Sequence, residues 1–146
     1  MTGRPAHLCR SWLFVDGADE GALLRTAPTS KADVLIQELE DFTPPALRPK
    51  ARSLAPDVFK TWRQAGYVVG VRVNLLDGDG MDDLAAVMRG APDVVGLPKV
   101  AEPEHIVRLD AEITRFERQY GLPDGSTAHF LAMELVEGED LAARLK

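Results

Sequence analysis

The chain has 146 residues, 45% of them apolar, with 17 basic against 23 acidic side chains and a formal net charge of −6. That length builds one domain with a sizeable core and not comfortably two. The negative balance and the lack of a basic cluster exclude the phosphate-neutralising footprint of a nucleic-acid binder, and the single cysteine, Cys9, excludes an internal disulfide or a thiolate metal cluster.

No apolar run approaches the roughly 20 residues of a membrane span. The opening MTGRPAHLCRSWLF has no signal-peptide core with a small-residue cleavage site. The expectation is a soluble, cytoplasmic protein with no membrane partner. In chain order, WLFV predicts a strand over 12–15, and a short helix follows over 19–27. VLI predicts a second strand over 34–36. A helix over 49–65 carries Leu54, Val58, Phe59 and Trp62 at near-helical spacing, with Pro56 expected to break or restart it. The third strand covers 68–73. The helix over 81–89 has Asp79, Asp82 and Asp83 near its start, which suits the helix dipole. The fourth strand covers 94–97. The clearest helix is 103–120, where Ile106, Leu109, Ile113, Phe116 and Tyr120 repeat at three and four and Pro103 suits the first turn. A fifth strand over 129–133 and a helix over 137–146 complete the order.

The strands are nearly continuous apolar runs, as in sheets covered on both faces. Their alternation with helices predicts βαβ units in a parallel sheet with right-handed crossovers, all within one domain over 1–146. Each strand ends in polar or glycine residues: Asp16-Gly17, then Glu38, Glu40 and Asp41, then Arg72 and Asn74, then Lys99, then Glu134. Ligands of α/β proteins sit at the carboxyl ends of parallel strands. The pattern would aim the four carboxylates of Glu38, Glu40, Asp41 and Glu134, with the Arg72 guanidinium and the Lys99 ammonium, at one mouth. Such a set suits an anionic, oxygen-rich substrate and a hard divalent metal such as Mg2+. Blander readings stand beside this one. Glu38 pairs with Lys50 on the surface, Glu40 and Asp41 cap a turn, Asp16 is a turn residue, Lys99 snorkels, and Arg72 is held by a structural acid. Asp77-Gly78-Asp79-Gly80 has neither GxGxxG nor GxxxxGK spacing and is acidic, so it reads as a loop at the site mouth and not as a nucleotide cradle.

RSWLFVDG resembles the RS-L-FVPG opening of the citrate lyase beta-subunit-like family, within the wider HpcH/HpaI aldolases. ADVLIQELEDFTPPALRPKAR resembles its strand followed by DLED, proline and an alanine-arginine helix. VGVRVNLLDGDGMDDLAAV, DVVGLPKVAEPEHIVRLD and FLAMELVEG are similar to its third, fourth and fifth motifs, so the resemblance covers nearly the whole chain in order. It implies a phosphoenolpyruvate/pyruvate-type (β/α)8 TIM barrel, with about the first five βα units present here. It further implies a Mg2+-dependent carbon–carbon lyase working through an enolate on a small carboxylate or an acyl-CoA thioester such as citryl-CoA or malyl-CoA. By that pattern Arg72 holds a substrate carboxylate or carbonyl oxygen, Glu134 is the first metal ligand, Glu40 and Asp41 orient substrate beside the metal waters, and Lys99 is a supporting cation, with Glu38 beside them on the substrate. A homo-oligomer, often trimeric or hexameric, is implied as well.

This sequence departs from the family at three points: Asp16 replaces a proline, Glu38 replaces the first aspartate of DLED, and Leu135 replaces the threonine after the metal glutamate. A barrel of this type takes about 250 residues, and the family's second metal ligand, an aspartate after the sixth strand, has no counterpart. The expectation is low activity for these 146 residues alone, the remainder being truncated or supplied by another chain. The alternatives are a malyl-CoA-type thioesterase and a non-catalytic scaffold subunit derived from the barrel.

Overall fold

Five parallel strands and four α-helices alternate along residues 5–131, the part of the chain that the computed structural model describes. They are β1 (Trp12–Asp16), α1 (Glu20–Thr29), β2 (Val34–Glu38), α2 (Arg48–Gln64), β3 (Val68–Arg72), α3 (Gly80–Val87), β4 (Val94–Leu97), α4 (Pro103–Tyr120) and β5 (Ala128–Leu131). The end of the fifth predicted strand, the predicted last helix, Glu134 and Leu135 lie outside the described residues.

The strands lie in one sheet in the order β1-β2-β3-β4-β5, every neighbouring pair parallel. Among the described residues consecutive strands are therefore always adjacent, with no point at which the order reverses. All four helices pack on one face. Leu23 of α1, Phe59 and Trp62 of α2, Leu84 of α3 and Leu109, Ile113 and Phe116 of α4 share a core with the outward strand residues Leu35, Val69, Val71 and Val95. The other face carries a separate apolar cluster of Val34, Ile36, Val68 and Val94, with Trp12, Phe14 and Phe130 packed against it. A doubly wound sheet would put helices on both faces; unbroken order with helices on one side is the barrel arrangement. The rings of Trp12 on β1 and Phe130 on β5 meet edge to face with centroids 5.2 Å apart. In a flat sheet strands four places apart would be about 19 Å apart, so the sheet curls until its first and fifth strands touch across the concave face.

The helices form where an apolar stripe can reach the sheet. In α2 the buried positions are Ala51, Ala55, Val58, Phe59 and Trp62, a stripe that straddles Pro56. The expected break at Pro56 does not occur: α2 runs through it. An interior proline costs about 3 kcal/mol, and burial of Phe59 and Trp62, the latter donating its indole N–H to the Leu23 carbonyl at 2.8 Å, outweighs it. Helix α1 likewise carries Pro28 and continues to Thr29. Helix α4 ends at Gly121 (φ +68°), and the Leu122 N–H closes back on the Glu117 carbonyl at 2.8 Å, a left-handed cap that suits glycine. The buried Glu117 carboxylate then accepts from the N–H groups of Gly125 and Thr127, each at 2.8 Å, and so pins the turn into β5.

Candidate active site

Register assembles the site. Asp16, Glu38, Arg72, Gly96 and Phe130 are consecutive partners in one row at the C-terminal edge of the sheet. Glu38 and Arg72 are thus neighbours on adjacent strands, within reach of each other across about 4.8 Å of sheet. Arg72 Nε lies against Glu38 Oε2, and the guanidinium sits over the Phe14 ring, 5.1 Å from its centroid.

The segment after β2 places two further acids. The Leu39 N–H donates to the Arg72 carbonyl at 3.0 Å, which keeps the chain beside β3 for one more residue. The Glu40 N–H then donates to Glu38 Oε1 at 2.7 Å. Thr43 Oγ1 donates to the Glu38 carbonyl at 2.5 Å and accepts from the Gly17 N–H at 3.1 Å. This tight turn tips Glu40 and Asp41 toward Arg72 before Pro44 and Pro45 start the next helical stretch. Arg72 Nη2 is 2.9 Å from Asp41 Oδ2 and 3.6 Å from Glu40 Oε2. Lys99, just past β4, reaches Glu40 Oε1 at 2.7 Å. All five of the predicted site residues that are described therefore belong to one connected set of charges.

Their exposures differ, and so do the jobs open to them. Glu38 is fully buried, the Arg72 side chain is 14% exposed, and Asp41 and Lys99 are each 55% exposed. Burial pushes the Glu38 carboxyl above its ordinary value, against the pull of the Glu40 N–H and of Arg72. Beside the set lies a cleft of about 360 Å³ walled by Glu40, Asp41, Arg48, Asn74, Asp79 and Lys99. Glu38 and Arg72 stand behind that wall. Asp16 accepts from the Ala18 N–H at 2.9 Å and serves the turn after β1.

Sequence reasoning missed Arg48, Asp79 and Phe14. Asp79 binds Arg48 at 2.5 Å and Arg52 at 3.1 Å, and the Arg48 hydrogen bond, followed by that of Arg52, holds its carboxyl below the usual range. Asp83, fully buried, binds Arg52 Nε at 2.7 Å and accepts from the backbone and side-chain amides of Asn74 at 2.9 and 2.7 Å. The signal was present as two i,i+4 pairs, Arg48/Arg52 on α2 and Asp79/Asp83 at the start of α3. Asp79 was placed in a loop at the site mouth and both acids were read as dipole partners, but not as ion-pair partners of α2; they bolt the acidic loop to α2 as one wall of the cleft. A larger cavity of about 550 Å³, lined by Trp12, Val68, Val94 and Phe130 together with His7, Asp93 and His129, opens at the opposite, N-terminal ends of the strands, away from the charged rim.

The rim oxygens suit a hard divalent cation, and Glu40 Oε2 is a buried oxygen with no hydrogen bond among the described residues. Yet no three His, Cys, Asp or Glu side chains among the described residues gather to hold a metal. The chemistry of these oxygens fits Mg2+, but their number among the described residues falls short of a metal site.

A family model described as HpcH/HpaI aldolase/citrate lyase matches residues 10–141. The citrate lyase subunit beta of Escherichia coli K12 is 37% identical over 134 residues, covering 90% of this chain and 43% of that protein. A (3S)-malyl-CoA thioesterase of Cereibacter sphaeroides is 36% identical over 97 residues, 66% of this chain and 34% of that protein. Among solved structures, Haloferax volcanii malate synthase in its magnesium/glyoxylate complex superimposes with a TM-score of 0.77 at 19% identity, over 88% of this chain and 43% of that one. That likeness shows the fold, a partial TIM-barrel-type α/β sheet. The chain spans less than half the length of each of these proteins.

Proposed function

The chain belongs to the HpcH/HpaI aldolase/citrate lyase family, and we propose that it carries the first half of a Mg2+-dependent carbon–carbon lyase site for a small carboxylate or its acyl-CoA thioester, such as citryl-CoA or malyl-CoA. One observation supports this most: among the described residues, Glu38, Glu40 and Asp41 converge on Arg72 and Lys99 at the C-terminal rim. Among the described residues these three carboxylates outnumber the two cations they touch, an excess that a divalent cation would balance. Bound through Glu134, Mg2+ would supply Lewis-acid charge beside the rim.

Arg72 is the anchor. Glu38 and Phe14 fix one edge and one face of its guanidinium, whereas Asp41 is exposed and replaceable. A substrate carboxylate or carbonyl oxygen that takes the place of Asp41 gains a preset donor, and charge that develops on that oxygen is stabilised. The cleft wall then offers the Glu40 or Asp41 carboxylate as acceptor for the substrate's hydroxyl proton. As that proton leaves, the carbon–carbon bond breaks, a new carbonyl forms, and the electron pair moves to the thioester carbonyl as an enolate, which a proton later quenches.

Product analysis tests the reading. With Mg2+ and a polypeptide that completes the barrel, a lyase releases acetyl-CoA and a 2-oxo acid from citryl-CoA or malyl-CoA, and Arg72→Ala lowers kcat/KM by about a hundredfold or more. Glu134→Ala is expected to do the same; unchanged turnover in either variant removes the assignment. The similarity to a malyl-CoA thioesterase favours a second reading in which water attacks the thioester, and free CoA with intact malate would be its product.

A further inference from the structure

Lys99 follows β4 with a φ of +50°. A side chain in the left-handed region crowds its own carbonyl and persists where the surroundings impose it. The other such non-glycine residue among those described, Ala91, merely ends a short 3-10 turn; Lys99 lies on the cleft wall. Its ammonium is 2.7 Å from Glu40 Oε1, while Glu40 Oε2 stops 3.6 Å from Arg72 Nη2 and makes no hydrogen bond among the described residues. Glu40 is therefore shared between two cations, and Lys99 holds it. Arg72 Nη2 is engaged instead by the exposed Asp41 at 2.9 Å.

We propose that Lys99 is a positioning residue that holds Glu40 off Arg72, and so keeps the Nη2 edge of Arg72 open to an exchangeable carboxylate. The family resemblance made Lys99 a supporting cation of the substrate site; in this arrangement it acts through Glu40. Freed of Lys99, Glu40 would close the short gap to Arg72 and convert its loose contact into a full ion pair, because a nearly buried carboxylate oxygen without a donor is unstable. The Nε and Nη2 positions of Arg72 would then both be taken, by Glu38 and Glu40. The proposal rests on the reading above that Arg72 receives a small carboxylate.

Two measurements test it. In a crystal structure of Lys99→Met, Glu40 Oε2 is expected to move from 3.6 Å to hydrogen-bond distance of Arg72; an unchanged gap overturns the proposal, whether or not the protein binds carboxylates. In calorimetric titration with malate and Mg2+, Lys99→Met should weaken binding about tenfold, and Glu40→Gln in the same chain should restore most of it. If the double variant stays as weak as Lys99→Met, Lys99 contacts the ligand itself and the proposal fails. No malate binding by the unmutated protein would sink the functional reading while leaving the structural comparison decisive for Lys99. Lys99→Gly, which relieves the backbone strain, should melt above Lys99→Met; the reverse order would show that the left-handed backbone stores no strain.

Discussion

Glu38 has no exposed surface and, among the described residues, engages the Arg72 guanidinium and the Glu40 N–H. Burial raises its folded-state pKa above the ordinary 4.5. The folded protein therefore binds the Glu38 proton more tightly than the unfolded chain does, and the sign follows: this group's contribution is greatest below pH 4.5 and is lost as pH rises through the folded value. Melting curves of the wild type and Glu38→Gln between pH 4 and pH 7 should show the difference moving in the variant's favour as pH rises; a constant difference would contradict the raised pKa. Removing the cation is harsher. Arg72→Met leaves Glu38 buried beside no charge partner and should lower unfolding free energy by about 3–5 kcal/mol, read from urea denaturation. The acids themselves were legible in ELED, but not their partner. Lys50 was a candidate from local spacing and is exposed on α2, whereas Arg72 lies 34 positions away from Glu38 and meets it only through the register of β2 with β3. Local sequence does not encode which residues of two strands stand abreast. Asp79 was hidden for a related reason: its two arginines lie on another helix.

At the level of elements, helix α4 and strand β4 fall where periodicity placed them, because each is a single unambiguous apolar pattern with clear ends. Helix α2 shows the opposite case. Proline is read from local chemistry, while the five buried positions that hold the helix together act at a distance. The loop between β3 and α3 depends on one small residue. A Cβ on Gly80 would lie 2.2 Å from the Asn74 carbonyl oxygen and 2.6 Å from that of Leu75. Both are backbone atoms that cannot step aside as a flexible side chain would. Gly80→Ala should therefore destabilise the protein by about 1–3 kcal/mol and displace Asp79 from Arg48. Chemical denaturation measures the first effect, and a crystal structure the second. Retention of the Arg48–Asp79 pair at full stability would show that the loop can rebuild around a methyl group.

Across the whole molecule, strand order and one-sided helices are enough to separate a barrel from a doubly wound sheet; the alternation of apolar runs suits both, and the barrel expectation came from the family resemblance. Among the described residues, no helix is long and apolar enough to cross a membrane. The interior strands β2, β3 and β4 are bonded on both sides and almost wholly buried, whereas β1 and β5 pair on one side only among the described residues. Amide exchange should be slowest in the three interior strands and faster in β1 and β5, whose ladders can open without breaking the centre; equal protection throughout would mean that both flanks are covered.

The edge-to-face meeting of Trp12 with Phe130 also turns the protein into its own optical gauge. Trp62 is the second and last tryptophan of the chain, so a Trp62→Phe background leaves a lone indole emitter seated where the two distant strands converge. Any ligand, mutation or companion polypeptide that flattens or tightens the curl must change the environment of that emitter, and the colour and brightness of its fluorescence would report the change in solution without an added label.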